Sequence, residues 1–576
     1  MVGCLQQSTI NLDTSNIKNL VSNSTATDYC GTGYAYGYIY NSQAQISALT
    51  VIFSSLQAKS NTIVSRAGLS AFAYETQISM SSVTLKNNNI SVYGLYADAL
   101  CGFISGQFNS SCFVQLYKIV LQNLISNVNS ISGTSYVSSG IGIVAISVFI
   151  DIQQISISNI QLSSQSQTGS VLGASLISLQ SQSKILVNRV QTNSISISVT
   201  GYTNCYLGGI SKVIQSEIQI DYYLSFDMQL YINTQTGNLS LGGAVGNINN
   251  SNTILSNSKI IQLYINGQNR NWNMVGGYIG SIMGSNLTQT HSIIFNSSIQ
   301  SSSSNKEVNI GGFMGISELY SNLTFVDCTV SSILLNSSSE FACSRSVLFI
   351  GRVENSSCSV SVLNIINSQA ITTALMSRSG GVFGRLYYSD VNATQITLNN
   401  INISSLSTTE DSYTTGITTS FGYSSLNLWQ SSITSLNLSA TSSASNVIAG
   451  SIHAQQNSAQ FQCTDIIVDN INIQLLALNA TRVAYAGMIT ASLSTAIVQS
   501  FNLTHVTIGT VNITFSSSSQ YIGLISGYND LKTILSIVDS KSIGTFLLQG
   551  TQYANCEQLT YQTNESGKQY INTRGC

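Results

Sequence analysis

Gly276-Gly277-Tyr278-Ile279-Gly280 is followed 35 residues later by Gly311-Gly312-Phe313-Met314-Gly315, and this recurrence decides the fold. The same signature stands at Gly242-Gly243-Ala244-Val245-Gly246 and Gly380-Gly381-Val382-Phe383-Gly384, with weaker copies such as Gly523-Leu524-Ile525-Ser526-Gly527. Fourteen steps from Gly33 to Gly523 cover 490 residues, an average of 35. A fixed period of this size marks a repeat unit that cannot bury its apolar face alone and must stack on its neighbours. Coil starts are expected near Gly33, Gly68, Gly102, Gly140, Gly173, Gly209, Gly243, Gly277, Gly312, Leu348, Gly381, Gly416, Gly450, Gly487 and Gly523.

The residues between the glycines choose strand over helix. Glu, Lys and Ala are scarce, while Ile, Val, Thr, Ser and Tyr dominate and suit a pleated surface. Apolar side chains mostly alternate in Ile155-Ser156-Ile157-Ser158-Asn159-Ile160-Gln161-Leu162 and again in Ile195-Ser196-Ile197-Ser198-Val199, which predicts strands with one dry face. The 576 residues contain no proline, where ordinary usage would give about 29. Interior strands of a parallel stack need every N–H, so proline would break a ladder; a biased coding composition accounts for its absence from turns as well. The fold class expected is all-β: a single elongated parallel β-helix, or β-solenoid, of about 15 coils of ~35 residues. A propeller is the rival, but its blades of about 40–50 residues are longer than this period. Recurring second glycines point to close backbone approach or positive φ at a corner. Residues 1–30 read as an N-terminal cap or partial coil, 31–550 as solenoid repeats, and 551–576 as a cysteine-containing segment that begins a further module.

These glycine copies resemble GLUG-motif repeats, Gly-Gly-Leu-Val-Gly-like units of large secreted and surface proteins, from Gly33 to about Gly544. Gly68-Leu69-Ser70-Ala71 and Gly450-Ser451-Ile452-His453 keep one glycine of the motif, and Leu348-Phe349-Ile350-Gly351 only the last. The resemblance implies a β-solenoid with an extracellular, adhesin-like or structural role, and it implies no catalytic residue.

Composition narrows function further. Charged residues are 7% of the chain and the formal net charge is −2, so no field draws nucleic acid or an anionic membrane. Ile141 to Ile150 is the longest nearly unbroken apolar run, half of a bilayer span, and the first residues show no secretory leader. Three histidines in three different coils and no Cys-x-x-Cys exclude a zinc or haem site, and no cofactor is expected. Cysteines close in sequence suggest local disulfides: Cys101 with Cys112, Cys343 with Cys358, Cys556 with Cys576. Seventeen Asn-x-Ser/Thr sequons stand at Asn23, Asn89, Asn109, Asn238, Asn249, Asn286, Asn296, Asn322, Asn336, Asn355, Asn392, Asn402, Asn437, Asn479, Asn502, Asn512 and Asn564. With 54 asparagines and roughly a quarter of the chain Ser or Thr, chance alone supplies about 14, so the number does not establish secretion.

One charge cluster stands out. Laid on the repeat, Glu318 meets Glu354, Arg345 meets Arg378 and Arg352 meets Arg385 in neighbouring coils. Four guanidiniums and two carboxylates suit either an anion or acidic-sugar site or a ladder of mutually paired charges. No acid pair at the spacing of glycoside chemistry and no nucleophile with its base are legible. The function expected is therefore a non-enzymatic extracellular structural or adhesive protein, N-glycosylated, displayed at a surface or assembled into filaments. Its partners would be glycans, cell-surface or matrix proteins, or further copies of itself. The alternative is a polysaccharide-binding or polysaccharide-cleaving β-helix enzyme of the pectin-lyase-like type.

Overall fold

A computed structural model describes residues 2–62, 64–457, 460–479, 482–493, 499–517, 519–523, 526–529, 533–538, 540–548, 551–553 and 560–562. Internal packing divides the chain into two units, Met1–Thr288 and Gln289–Cys576. Each is a parallel β-solenoid, without helix among the described residues, and the chain makes about 14 turns in all. Among the described residues no helix is long and apolar enough to cross a membrane.

In the first unit Ile155 pairs with Val190 and Val190 with Tyr223; in the second Arg345 pairs with Arg378 and Arg378 with Tyr413, all in parallel. A strand's partner is the equivalent strand of the next coil, which rules out the antiparallel blades of a propeller. Already in the first coil Val2 pairs with Tyr36, Thr9 with Gln43 and Val21 with Ser55. The parallel order gives way near the C-terminus, where Phe546–Leu548 pairs antiparallel with Thr551–Tyr553.

One coil shows why the residues form these elements. Leu239–Gly242 runs into a glycine corner, followed by strands Val245–Asn249, Asn252–Ser256 and Lys259–Asn269. Between them lie residues in the left-handed region, Asn250 (φ 47°) and Asn257 (φ 50°), with Gln262 (φ 56°) bending the third strand. Such bends recur coil after coil, as at Asn87, Asn123, Asn159, Ser194 and Asp227, and most of their occupants are short polar side chains that tolerate this conformation. Alternation is as expected: Ile195, Ile197 and Val199 are buried, Ser196 and Ser198 are not.

The recurring corner glycines are there for space, not for positive φ. A Cβ on Gly243 would stand 2.3 Å from the carbonyl oxygen of Gly277, and one on Gly312 would stand 2.0 Å from that of Leu348. Among the described glycines only Gly284 has positive φ, and it occupies a bend between strands rather than a Gly-Gly corner. Ladder register also moves several expected coil starts. The first-glycine position runs through Gly33, Gly68, Gly102, Ser138, Ala174, Gly208, Gly242 and Gly276 in the first unit, and Gly311, Val347, Gly380, Thr415, Gly450, Gly487 and Gly523 in the second. Gly140 thus lies two residues beyond its ladder position and Gly173 one before, because these lone glycines stand at neither position of the Gly-Gly pair.

The disulfides expected within the described residues are absent: Cys101, Cys112, Cys343 and Cys358 are free thiols. Closeness in sequence is not closeness in a solenoid, where 11 or 15 residues carry the chain to another face. Cys343 lies against Met376, whereas Cys358 lies between Leu323 and Val391. Cys556 and Cys576 lie outside the described residues.

Candidate functional site: a re-entrant corner of paired charges

The strand ending at Val347 and the strand Ile350–Glu354 meet at a corner of the Gly-Gly type, and Arg345 from the first and Arg352 from the second converge on one carboxylate. Arg345 Nη1 donates to Glu307 Oε2 at 2.7 Å and to Asn309 Oδ1 at 2.9 Å, while Arg352 Nη1, from the second strand, lies 3.4 Å from the same Glu307 oxygen. Arg352 Nη2 also reaches Glu318 Oε1 at 3.7 Å and bonds Glu354 Oε2. Arg345 is only 1% exposed, so its charge has been taken out of water and is held by Glu307.

Burial alone would raise the Glu307 carboxyl, but the guanidiniums of Arg345, Arg352 and Arg378 outweigh it and hold the group below the usual range. Glu318 goes the other way. Burial raises it, Arg352 offsets only part of that, and the neighbouring charges of Glu354 and Glu307 push it further up. Arg385 is lowered by burial first and then by the crowding of Arg345, Arg352 and Arg378.

The structure brings all six residues picked from the sequence into one constellation. Arg345 is in register with Arg378 and Arg352 with Arg385, and Ser317 with Val353 sets Glu318 beside Glu354. Glu307 and Asn309 escaped the sequence reading. Asn309 precedes Arg345 in the ladder, and Glu307 is two residues before it on the same face, so counting one coil back from Arg345 would have found both. The aromatic partners were missed as well. Arg378 Cζ lies 5.2 Å from the Tyr413 ring and Arg385 Cζ lies 4.6 Å from the Tyr387 ring. The same corner carries cations on rings in the first unit, with Arg66 4.5 Å from Phe72 and Lys212 4.5 Å from Tyr206.

Of the sequon asparagines, Asn109, Asn249, Asn355, Asn502 and Asn512 are half-buried; Asn564 lies outside the described residues, and the others are exposed. Asn402 and Asn437 are joined into a row, Asn437 Nδ2 donating to Asn402 Oδ1 at 2.8 Å and Asn472 Nδ2 to Asn437 Oδ1 at 3.0 Å.

Fold and corner together define a parallel β-solenoid with a charged, aromatic-lined re-entrant edge. No protein-family model matches the chain, and no curated protein matches it. A solved PL6 family alginate lyase, AlyGC, aligns at 7% identity over 95% of this chain and 100% of that one, with a TM-score of 0.11 that carries no argument.

Proposed function

We propose that this is a non-enzymatic structural or adhesive repeat protein that works outside the cell and presents long neutral faces of amide and hydroxyl groups. The observation that supports it is the coil-to-coil row of like side chains. Asn123 donates to Asn87 at 2.8 Å and Asn159 to Asn123 at 3.0 Å, as Asn437 does to Asn402 in the second unit. Each contact is weak alone, but a surface that repeats it every coil binds by multivalency. The GLUG-like motif is consistent with this placement, whereas the free thiols withdraw the support that local disulfides would have lent it. The carboxylates of the charged corner favour a non-catalytic reading, because Glu307, Glu318 and Glu354 all converge on Arg352.

Peptide mapping of the protein purified from its natural source tests the location, with glycans expected on exposed sequons such as Asn286, Asn322 and Asn392. Unmodified asparagines throughout would overturn the extracellular reading. Incubation with neutral and acidic polysaccharides tests the absence of catalysis. Cleavage that disappears in Glu318→Gln would overturn that part.

A further inference from the structure

The charges of the corner do not balance evenly along it. All three carboxylates gather on Arg345 and Arg352, and among the described residues neither Arg378 nor Arg385 has a carboxylate within ion-pair distance. Asp411, two residues before the Tyr413 that Arg378 overlies, is occupied elsewhere, accepting from the Tyr413 hydroxyl at 3.1 Å, Ser445 Oγ at 2.6 Å and the Asn446 amide at 3.1 Å. The buried Nε of Arg378 is without an acceptor, as are those of Arg345 and Arg352, so it is the missing carboxylate that sets Arg378 apart. What faces these two guanidiniums instead is aromatic.

Tyr387, under Arg385, meets Tyr388 edge to face at 4.4 Å and Tyr423 at 5.8 Å, and Tyr388 and Tyr423 stack at 5.0 Å with an interplanar angle of 13°. Tyr388 is 51% exposed and Tyr423 44% exposed, so a ledge of ring surface opens beside Arg385, whose charge Arg378 adjoins. A guanidinium fork is the natural partner of a planar carboxylate, and a flat tyrosine face is a natural platform for the C–H face of a pyranose ring.

We infer that Arg378 and Arg385, with the ledge of Tyr387, Tyr388 and Tyr423, form a subsite for an acidic saccharide, its carboxylate on the guanidiniums and its sugar ring on the tyrosines. The inference is independent of the structural role proposed above. It confines the ligand to the uncompensated end of the cluster, leaving Arg345, Arg352 and their glutamates as the internally paired scaffold that holds the corner.

Isothermal titration of the full chain with trigalacturonate, maltotriose and sodium sulfate tests it. Trigalacturonate should bind with an affinity that falls as salt rises, maltotriose should not bind, and sulfate should bind more weakly than the uronide. Loss of a charge-assisted pair in Arg378→Gln or Arg385→Gln should weaken uronide binding about tenfold or more. Tyr388→Ala, an exposed change that leaves the fold intact, should also weaken it. Arg385→Lys should restore only part, since the charge returns without the fork. The inference is overturned if no uronide binds, if maltotriose binds equally well, or if the double Arg378→Gln/Arg385→Gln variant, folded by circular dichroism, binds as the parent does. Sulfate binding as tight as the uronide's, unaffected by Tyr388→Ala, would mark a plain anion site and overturn the saccharide assignment.

Discussion

His453 shows what a single residue can do in this architecture. It is fully buried, its Nδ1 lies 3.2 Å from the carbonyl oxygen of Thr418, and its ring meets Phe421 edge on at 5.7 Å. That carbonyl can only accept, so Nδ1 carries the proton of the neutral ring. Burial pushes the folded pKa down from 6.5 to about 3. The unfolded chain takes up a proton below 6.5 and the folded chain does not, so stability present above that value is lost as pH falls toward 3, at about 1.4 kcal/mol per pH unit. His453→Phe, a side chain carried at the same ladder position by Phe383, should flatten the fall in melting temperature between pH 6.5 and 5; an unchanged slope would exclude His453 as its cause. The thiols make a second residue-scale case. Burial raises Cys101, Cys205 and Cys328 to about 12, whereas Cys4 is exposed and Cys343 half-buried. Alkylation of the native protein at pH 8 should label Cys4 and Cys343 first and reach Cys101, Cys112, Cys205, Cys328, Cys358 and Cys463 only in denaturant. Recovery of a linked Cys101–Cys112 peptide would contradict the free thiols. Neither result was legible in the sequence, because burial and pairing depend on which residues one coil sets against the next.

At the scale of the element, the abundance of serine acquires a reason. Ser216 Oγ donates to the Ile214 carbonyl at 2.7 Å and accepts from the Ser183 amide at 3.2 Å; Ser251 repeats both bonds, to Asn249 at 2.7 Å and from Ser216 at 3.1 Å. Each hydroxyl thus satisfies its own bend and that of the neighbouring coil, where the strands part and ladder bonds lapse. Ser216→Ala leaves the buried Ser183 amide without its acceptor, while the Ile214 carbonyl keeps the Gln182 amide, and should cost about 1–3 kcal/mol in urea unfolding. Gly312→Ala should be at least as damaging, since its methyl would meet the Leu348 carbonyl oxygen at 2.0 Å, backbone that moves only with its coil. Gly284 provides the contrast. Its φ of 57° is matched by Asn250 and Asn355 at the same bend, so Gly284→Asn should be neutral or stabilising by a few tenths of a kcal/mol. A loss above 1 kcal/mol would show that more than backbone conformation holds that glycine. Strand alternation and repeat period were readable from side-chain pattern, since both are local. The role of the second glycine was readable only as a choice between close approach and positive φ, because the oxygen it avoids belongs to a residue about 35 positions away.

On the scale of the whole molecule, stability is a sum over neighbouring coils, and the contacts that matter have one dominant sequence separation. That is why the class of fold was legible from one motif while the charged corner was legible only in part. Matching positions across coils set Arg345 on Arg378 and Arg352 on Arg385. What pattern does not carry is that Arg345 and Arg352, in successive strands of one coil, reach a single Glu307, since this depends on how the turn between them brings the two strands together. The same additivity yields a test. Leu207 is in register with Leu241, so deleting residues 208–241 joins Leu207 to Gly242 and removes one complete coil of the first unit with every remaining ladder position preserved. The two coils thereby brought together carry the same corner, bends and serine positions and have equivalent faces to bury. Folding should remain cooperative, with an unchanged β-sheet spectrum and a urea m-value reduced roughly in proportion to the surface lost. Deleting only residues 208–224 puts the following strands half a coil out of phase, opposing bends to strands and dry faces to wet ones. That shorter deletion should unfold or aggregate the first unit although it removes half as many residues. Equal stability of the two variants would show that the coil is not the unit of cooperation.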